Sequence, residues 1–188
     1  MKNTTVRSVF VALFAALICI GAFLKIPAGP FGVPIVLQNM LCILAGCILG
    51  NIQGAAAVGL FIIAGGIGLP VYSGGASGFA TLMKSTGGFF YGYFLGALIA
   101  GLIVGRPKVT EKKVTIRNVI KISLAALAGF VIVYLPAIPW ALFVTKKDFA
   151  TIIAGYVLPF IPGDLIKMVV TIILSVTLRP VAARYLSN

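Results

Sequence analysis

The chain has 188 residues, of which 61% are hydrophobic and only 10% are charged. This composition, with a mean hydropathy of +1.16, is typical of an integral membrane protein and excludes an ordinary soluble domain. A net charge of +12 would suggest nucleic acid as the partner of a soluble protein. Here the basic residues cluster at the ends of apolar segments, so we expect a lipid bilayer and no nucleic acid.

Apolar segments along the chain predict an all-α, polytopic membrane protein with six transmembrane helices in one compact bundle. A segment of about 20 apolar residues can cross a bilayer as a helix, which satisfies its own backbone polar groups. The whole chain, 1–188, is interpreted as a single substrate-binding domain. Its helices are expected at approximately 6–24, 34–50, 52–69, 86–104, 119–143 and 163–183.

Charge distribution predicts a multi-pass plasma-membrane protein with both termini in the cytoplasm. Basic residues lie near both chain ends and between the fourth and fifth segments: Lys2, Arg7, Arg106, Lys108, Lys112, Lys113, Arg117, Lys121, Arg179 and Arg184. A signal peptide is the alternative for the first segment, but no small-residue cleavage site follows it. Cys19, Cys42 and Cys47 lie within apolar segments and are interpreted as packing residues.

The stretch 149–162 is apolar but short for a transmembrane helix. Counting it as one would place the basic residues of the last segment outside, so it is interpreted as an interfacial or re-entrant segment. Pro136 and Pro139 are expected to kink or end the fifth helix, because proline removes a backbone donor and clashes with the preceding turn.

Three unusual connections fall on the outer side in this topology. They are 26–34, 68–78 with its continuation to 88, and 162–167. A site built from them would collect a small molecule from outside the cell.

Asp164 and Lys167 are the strongest site candidates, since they share one face at the beginning of the last predicted helix. Ionisable groups within a membrane usually serve a ligand or an ion. The carboxylate would accept from ligand N–H groups and the ammonium would donate to a ligand oxygen. The alternative is a helix cap with a local ion pair.

The remaining candidates each have a structural alternative. The amides of Gln38 and Asn39 could instead bond neighbouring helices, and Tyr93 could belong to an interfacial aromatic belt. Glycines in or beside loops allow sharp bends or close approach to a ligand, whereas glycines repeating every four residues suit helix packing. The further ligand-binding candidates are Gly74, Gly75, Ser85, Thr86 and Gly88.

Catalysis is not expected. The chain has no histidine and only Glu111, Asp148 and Asp164 as acids, which argues against a catalytic triad, paired-carboxylate chemistry or a histidine metal site. No Gly-x-x-x-x-Gly-Lys-Ser/Thr loop is present to hold a nucleotide. No metal and no cofactor are therefore expected, and active transport would take its energy from a partner or an ion gradient.

The succession of motifs over Gly68–Gly75, Thr86–Gly92 and Pro159–Lys167 resembles the BioY family, the biotin-specific substrate-binding (S) component of energy-coupling factor (ECF) transporters. The resemblance implies that the chain binds biotin on its outer side and assembles with a transmembrane coupling subunit and two ABC-type ATPases. It also implies that Asp164 and Lys167 hold the ureido end of biotin.

The small-residue pair Ala12 and Ala16 matches the surface by which such components meet the coupling subunit. From the residues alone, this pair could equally pack inside the chain. For the carboxylate of biotin, Lys84, Ser85 and Thr86 are plausible partners. The alternative function is a stand-alone secondary transporter of a small vitamin-like solute, in which Asp164 takes up and releases a proton.

Overall fold

The computed structural model describes residues 2–26, 35–50, 52–108 and 115–186. A short antiparallel pair of β1 (Lys25–Ile26) and β2 (Ile35–Val36) accompanies the helices. Residues 27–34 of the connection predicted at 26–34 lie outside the described residues, and so does Glu111. The described helices are α1 (Lys2–Gly21), α2 (Gln38–Leu49), α3 (Gln53–Gly66), α4 (Phe79–Leu82), α5 (Gly87–Val104), α6 (Ile116–Thr145), α7 (Phe149–Tyr156) and α8 (Ile161–Leu186).

The prediction of a helical membrane protein is confirmed for the described part of the chain. Four helices there, α1, α5, α6 and α8, are long and apolar enough to cross a membrane. The segments predicted at 34–50 and 52–69 contain shorter apolar helices of 12 and 14 residues, α2 and α3. Helix α7 occupies the segment predicted to be short, and α6 does not end at Pro136 or Pro139 but continues to Thr145.

Helix α2 lies at the centre of the bundle and contacts α1, α3, α5, α6 and α8. Every residue of it except Leu41 is buried. A helix that is apolar on most sides must be buried in protein or in lipid, and the surrounding helices bury α2 at the core of the fold. Its buried cysteines, Cys42 and Cys47, pack in this core as predicted.

Glycines allow α5 and α6 to approach closely. A side chain on Gly92 would collide with the backbone of Val133, and one on Gly96 would meet the Gly129 carbonyl oxygen at 2.7 Å. The four-residue repeat of glycines therefore serves helix packing, as the small-xxx-small pattern predicts.

Hydrogen bonds show that α2, α5 and α8 run in the same direction. Asn39, near the start of α2, bonds to Asp164, near the start of α8. Towards the other end, Arg179 of α8 donates to Cys47 in the last turn of α2 and to Val104, the last residue of α5. The N-terminal ends of these helices thus gather at one end of the bundle, the cavity end, and their C-terminal ends gather at the other, the Arg179 end.

Candidate ligand-binding site

A cavity lies at the end of the bundle where α2, α5 and α8 begin. The first turns of these helices, the second half of α6 and the loop before α4 form its wall. Aromatic and aliphatic side chains form most of its wall, and a few polar groups converge on it. This is the usual composition of a small-molecule site. The described residues that line it are Val36, Gln38, Asn39, Ser73, Thr86, Phe89, Phe90, Tyr93, Val133, Tyr134, Phe160, Asp164 and Lys167.

Four of these residues form a hydrogen-bonded group, called here the Asp164 cluster: Asn39, Tyr134, Asp164 and Lys167. One carboxylate oxygen of Asp164 accepts from Asn39 Nδ2 at 2.8 Å and from Lys167 Nζ at 3.1 Å. Its other oxygen accepts from the Tyr134 hydroxyl at 2.5 Å. Lys167 Nζ also donates to Asn39 Oδ1 at 2.9 Å.

The cluster is a neutral ion pair buried beside the cavity. Asp164 and Lys167 are 9% and 8% exposed, and each lies within ion-pair distance of the other. Removing charges from water is unfavourable unless they are paired and hydrogen-bonded, and the amide and the phenol complete that pairing. The predicted local ion pair is therefore present, but it forms part of a wider network facing the cavity.

Counting donors and acceptors shows what the cluster can still offer. An ammonium has three N–H groups, and Lys167 uses two of them on Asn39 and Asp164 within the described part of the chain. The Asp164 oxygen bound by Tyr134 accepts one bond and retains a lone pair. One N–H of Lys167 and one lone pair of Asp164 thus have no partner in this network, and both residues line the cavity.

Tyr134 is the member of this cluster that sequence reasoning missed. It lies within an apolar stretch of α6, where a tyrosine gives no signal that separates a ligand contact from ordinary packing. Tyr93 and Thr86, both predicted, do line the cavity. Gln38 lines it as well, but its amide nitrogen donates to the carbonyl oxygens of Ile18 and Val71 and so ties α1 to the loop after α3.

Lys84, a predicted partner of the ligand carboxylate, is exposed and is absent from the described lining of the cavity. Four other predicted residues are absent from it as well. Gly74 and Gly75 form a tight turn with positive φ of 72° and 79°, a conformation that glycine adopts without strain. Ser85 lies in the turn before α5, and Gly88 packs against Trp140 and the backbone of α6. The structure thus places these glycines in bending and packing roles, and ligand contact by these four residues stays a prediction.

The small-residue pair on α1 lies on the outer surface of the bundle. Ala12 and Ala16 are exposed, whereas Ala15 and Ile18 on the other side of the helix are buried. Of the two placements that the sequence left open, packing inside the chain is therefore ruled out for this pair.

A helical membrane protein with a buried polar cluster on a largely apolar cavity belongs to the class of small-molecule binding or transport proteins. The model of the BioY family matches residues 1–184, and the chain belongs to this family.

Relatives and a solved structure agree with this assignment. The chain is 39% identical to the biotin transporter BioY of Rhodobacter capsulatus, over 90% of this chain and 89% of the relative. It is 34% identical to the biotin transporter BioY of Thermotoga maritima, over 89% of this chain and 92% of the relative. It is also similar to the crystal structure of the S-component for biotin from an ECF-type ABC transporter, with a TM-score of 0.81 and 32% identity over 95% of this chain and 94% of that chain.

Proposed function

We propose that this chain captures biotin from outside the cell and serves as the substrate-binding subunit of an ATP-driven ECF vitamin importer. Membership of the BioY family and the names of its relatives support biotin as the ligand. The similar crystal structure, titled as an S-component of an ECF-type ABC transporter, supports the role as a subunit.

The Asp164 cluster is the observation that carries the choice of ligand. A ureido group offers two N–H donors and one carbonyl acceptor. The remaining lone pair of Asp164 would accept from a ureido N–H, and the remaining N–H of Lys167 would donate to the ureido carbonyl. Because the ion pair is neutral overall, it suits a polar but uncharged head group. The aromatic wall formed by Phe89, Phe90 and Tyr93 would cover the apolar bicycle.

The proposed topology has six transmembrane helices, both termini in the cytoplasm and the cavity on the outer side. Helix α2 is only about 18 Å long at the usual rise per residue, which is short for a bilayer core. It needs no lipid-facing ends, however, because other helices surround it and Arg179 binds the carbonyls of its last turn. Backbone buried in protein is tolerated at membrane depth.

Energy for transport would come from partners, namely a transmembrane coupling subunit and two ABC-type ATPases. The exposed pair Ala12 and Ala16 is the proposed contact surface for the coupling subunit, because small residues let two helices approach closely. Replacing either alanine with leucine should abolish biotin uptake by the complete complex and leave the affinity of the isolated chain unchanged. Ala56→Leu, at an exposed site on α3, is the matched control. Loss of biotin binding in the α1 variants would contradict the role of this pair as a contact surface for the coupling subunit alone.

Titration calorimetry of the purified chain with a panel of vitamins tests the proposed ligand directly. Biotin should bind with one site per chain, and the other vitamins should give no heat. A different vitamin as the tightest ligand would contradict the proposal. Proteoliposomes that contain this chain without ATPases test the alternative, since biotin uptake driven by a pH gradient would identify a stand-alone secondary transporter.

A further inference from the structure

Ser73 contributes a polar group to the cavity that lies apart from the Asp164 cluster. Its hydroxyl oxygen is buried and has no hydrogen-bond partner within the part of the chain that the structure describes. The residue nonetheless lines the cavity. Buried polar groups are almost always bonded, and leaving one unsatisfied costs about 1–3 kcal/mol. A hydroxyl kept in this state beside a cavity is suited to bind what enters it.

The scaffold around Ser73 holds it in place. Tyr72, directly before it, is fully buried, and its hydroxyl donates to the Ile62 carbonyl oxygen at 2.6 Å. The Tyr72 ring packs against Phe61 and Phe90.

The loop is also tied to neighbouring elements. The Gly74 N–H donates to the Ala22 carbonyl oxygen at 3.3 Å, and Gln38 donates to the Val71 carbonyl oxygen at 3.1 Å. The backbone at Ser73 is therefore held in place before a ligand arrives.

The Asp164 cluster and Ser73 differ in how their polar groups are bonded. Asp164 and Lys167 bond to each other and to their neighbours in the cluster, and Ser73 takes no part in that network. Most of the other described lining is apolar, with Val36, Phe89 and Phe90 among it. A ligand with a polar head, an apolar middle and a second polar end would satisfy both positions.

We infer that the Ser73 hydroxyl donates a hydrogen bond to the carboxylate of the ligand while the Asp164 cluster holds the polar head. This inference rests on the proposed function, because it takes biotin as the ligand. It assigns to Ser73 the selection of ligands that carry an anionic tail. A hydroxyl donor to a carboxylate forms a charge-assisted bond, which is stronger than a bond between neutral groups.

Calorimetry with two ligands and matched variants tests the inference. The ligands are biotin and an analogue in which a methyl group replaces the carboxylate. Ser73→Ala should weaken biotin binding by about tenfold and change the affinity for the analogue by less than about twofold. Ser73→Cys, which keeps a weak donor of similar size, should show the same pattern with a smaller loss for biotin. The thermal stability of the ligand-free protein should not fall in Ser73→Ala, since the deleted hydroxyl is unsatisfied.

Ser175→Ala is the control, because Ser175 is a buried serine of α8 that does not line the cavity. It should bind both ligands like the wild type. Equal losses for the two ligands in Ser73→Ala, or no loss for biotin, would overturn the assignment of Ser73 while leaving biotin as the ligand. Failure of the wild type to bind biotin would show in the first titration and would overturn the proposed function itself.

Discussion

The two ends of α2 and α8 both hold a buried cation, but the partners of the two cations differ. At the cavity end, Lys167 binds side-chain oxygens of Asn39 and Asp164. At the Arg179 end, the guanidinium of Arg179, which is 3% exposed, donates to main-chain carbonyls. These carbonyls belong to Cys47, Ile48, Val104 and Gly105.

This difference in partners indicates that the Lys167 site can bind a ligand, whereas the Arg179 site stabilises the fold. Side chains beside a cavity can pair with one another and still keep a donor and an acceptor for a ligand, as Lys167 and Asp164 do. Carbonyls in the last turn of a helix have no partner within the helix and lie at the negative end of its dipole. A cation that serves two such helix ends at once holds the helices together, and its partners are main-chain groups of fixed position.

Glycine completes the Arg179 end. Gly50 and Gly105 end α2 and α5 with positive φ of 65° and 69°, which glycine tolerates best. A side chain on Gly50 would collide with the Gly105 carbonyl. The two helix ends therefore approach closely enough for one guanidinium to reach both.

The largest predicted effect is a loss of stability at the Arg179 end. Arg179→Met should lower the free energy of unfolding by about 3 kcal/mol, because it leaves buried carbonyls without a donor. Thermal unfolding of the purified protein should show this, and the remaining folded protein should keep its affinity for biotin. Arg184→Met, at an exposed position on the same helix, is the matched control. Unchanged stability in Arg179→Met would contradict the structural role assigned to Arg179.

At the cavity end, we expect replacement of the buried cation Lys167 to lower mainly the affinity for biotin. Lys167→Met removes a donor to the ligand and leaves the Asp164 carboxylate without its cation, so biotin binding should weaken at least about tenfold. Calorimetry measures this, with Lys108→Met as a control at an exposed position beyond the end of α5. Wild-type affinity in Lys167→Met would make the buried ion pair a structural feature like Arg179.

Tyr134→Phe should have an intermediate effect. It deletes one hydrogen bond to Asp164 and leaves the ring in place, so the carboxylate is less firmly oriented and biotin affinity should fall about fivefold. Tyr185→Phe, in which the altered residue is exposed, should bind biotin normally. A loss in Tyr134→Phe as large as that in Lys167→Met would indicate that the phenol contacts the ligand itself.

The smallest effect is predicted for Lys121, which donates to the same Val104 carbonyl as Arg179, at 3.1 Å. Lys121 is exposed, so solvent can replace its bond. Lys121→Met should change the free energy of unfolding by about 0.5 kcal/mol or less in a thermal unfolding experiment. A loss comparable to that in Arg179→Met would show that burial does not decide the contribution of these cations.

Sequence patterns revealed features that depend on local spacing. The apolar segments locate all the long helices, and the three-residue separation of Asp164 and Lys167 places both on one face. The resemblance to a known family supplied the ligand. The helix bounds differ from prediction by up to four residues at an end: α2 and α3 are shorter than their predicted segments, whereas α6 and α8 are longer. Burial among other helices explains why the short α2 remains stable.

Features that depend on long-range contacts were not visible in the sequence. Arg179 fits the positive-inside pattern, and only the folded chain brings two helix ends to its guanidinium. Gly88 stands beside a loop, yet its contacts are with α6. The Ser73 hydroxyl lacks a partner because of the residues that surround it in the fold, so composition and spacing could not predict this.

Calorimetry of Asp164→Asn and Asp148→Asn with biotin tests the role of the buried carboxylate most directly. These are the acids of the described residues, and asparagine has nearly the shape of aspartate. Asp148 is exposed at the N-cap of α7, where hydrogen bonds from Thr151 hold the pKa of its carboxyl below its usual value. Asparagine also caps helices well, so that variant should stay folded.

Asp164→Asn should weaken biotin binding by at least about 1 kcal/mol, through loss of a charge-assisted hydrogen bond, while Asp148→Asn should bind biotin like the wild type. Unchanged affinity in a folded Asp164→Asn protein would contradict the assignment of the Asp164 cluster as the site that holds the ligand.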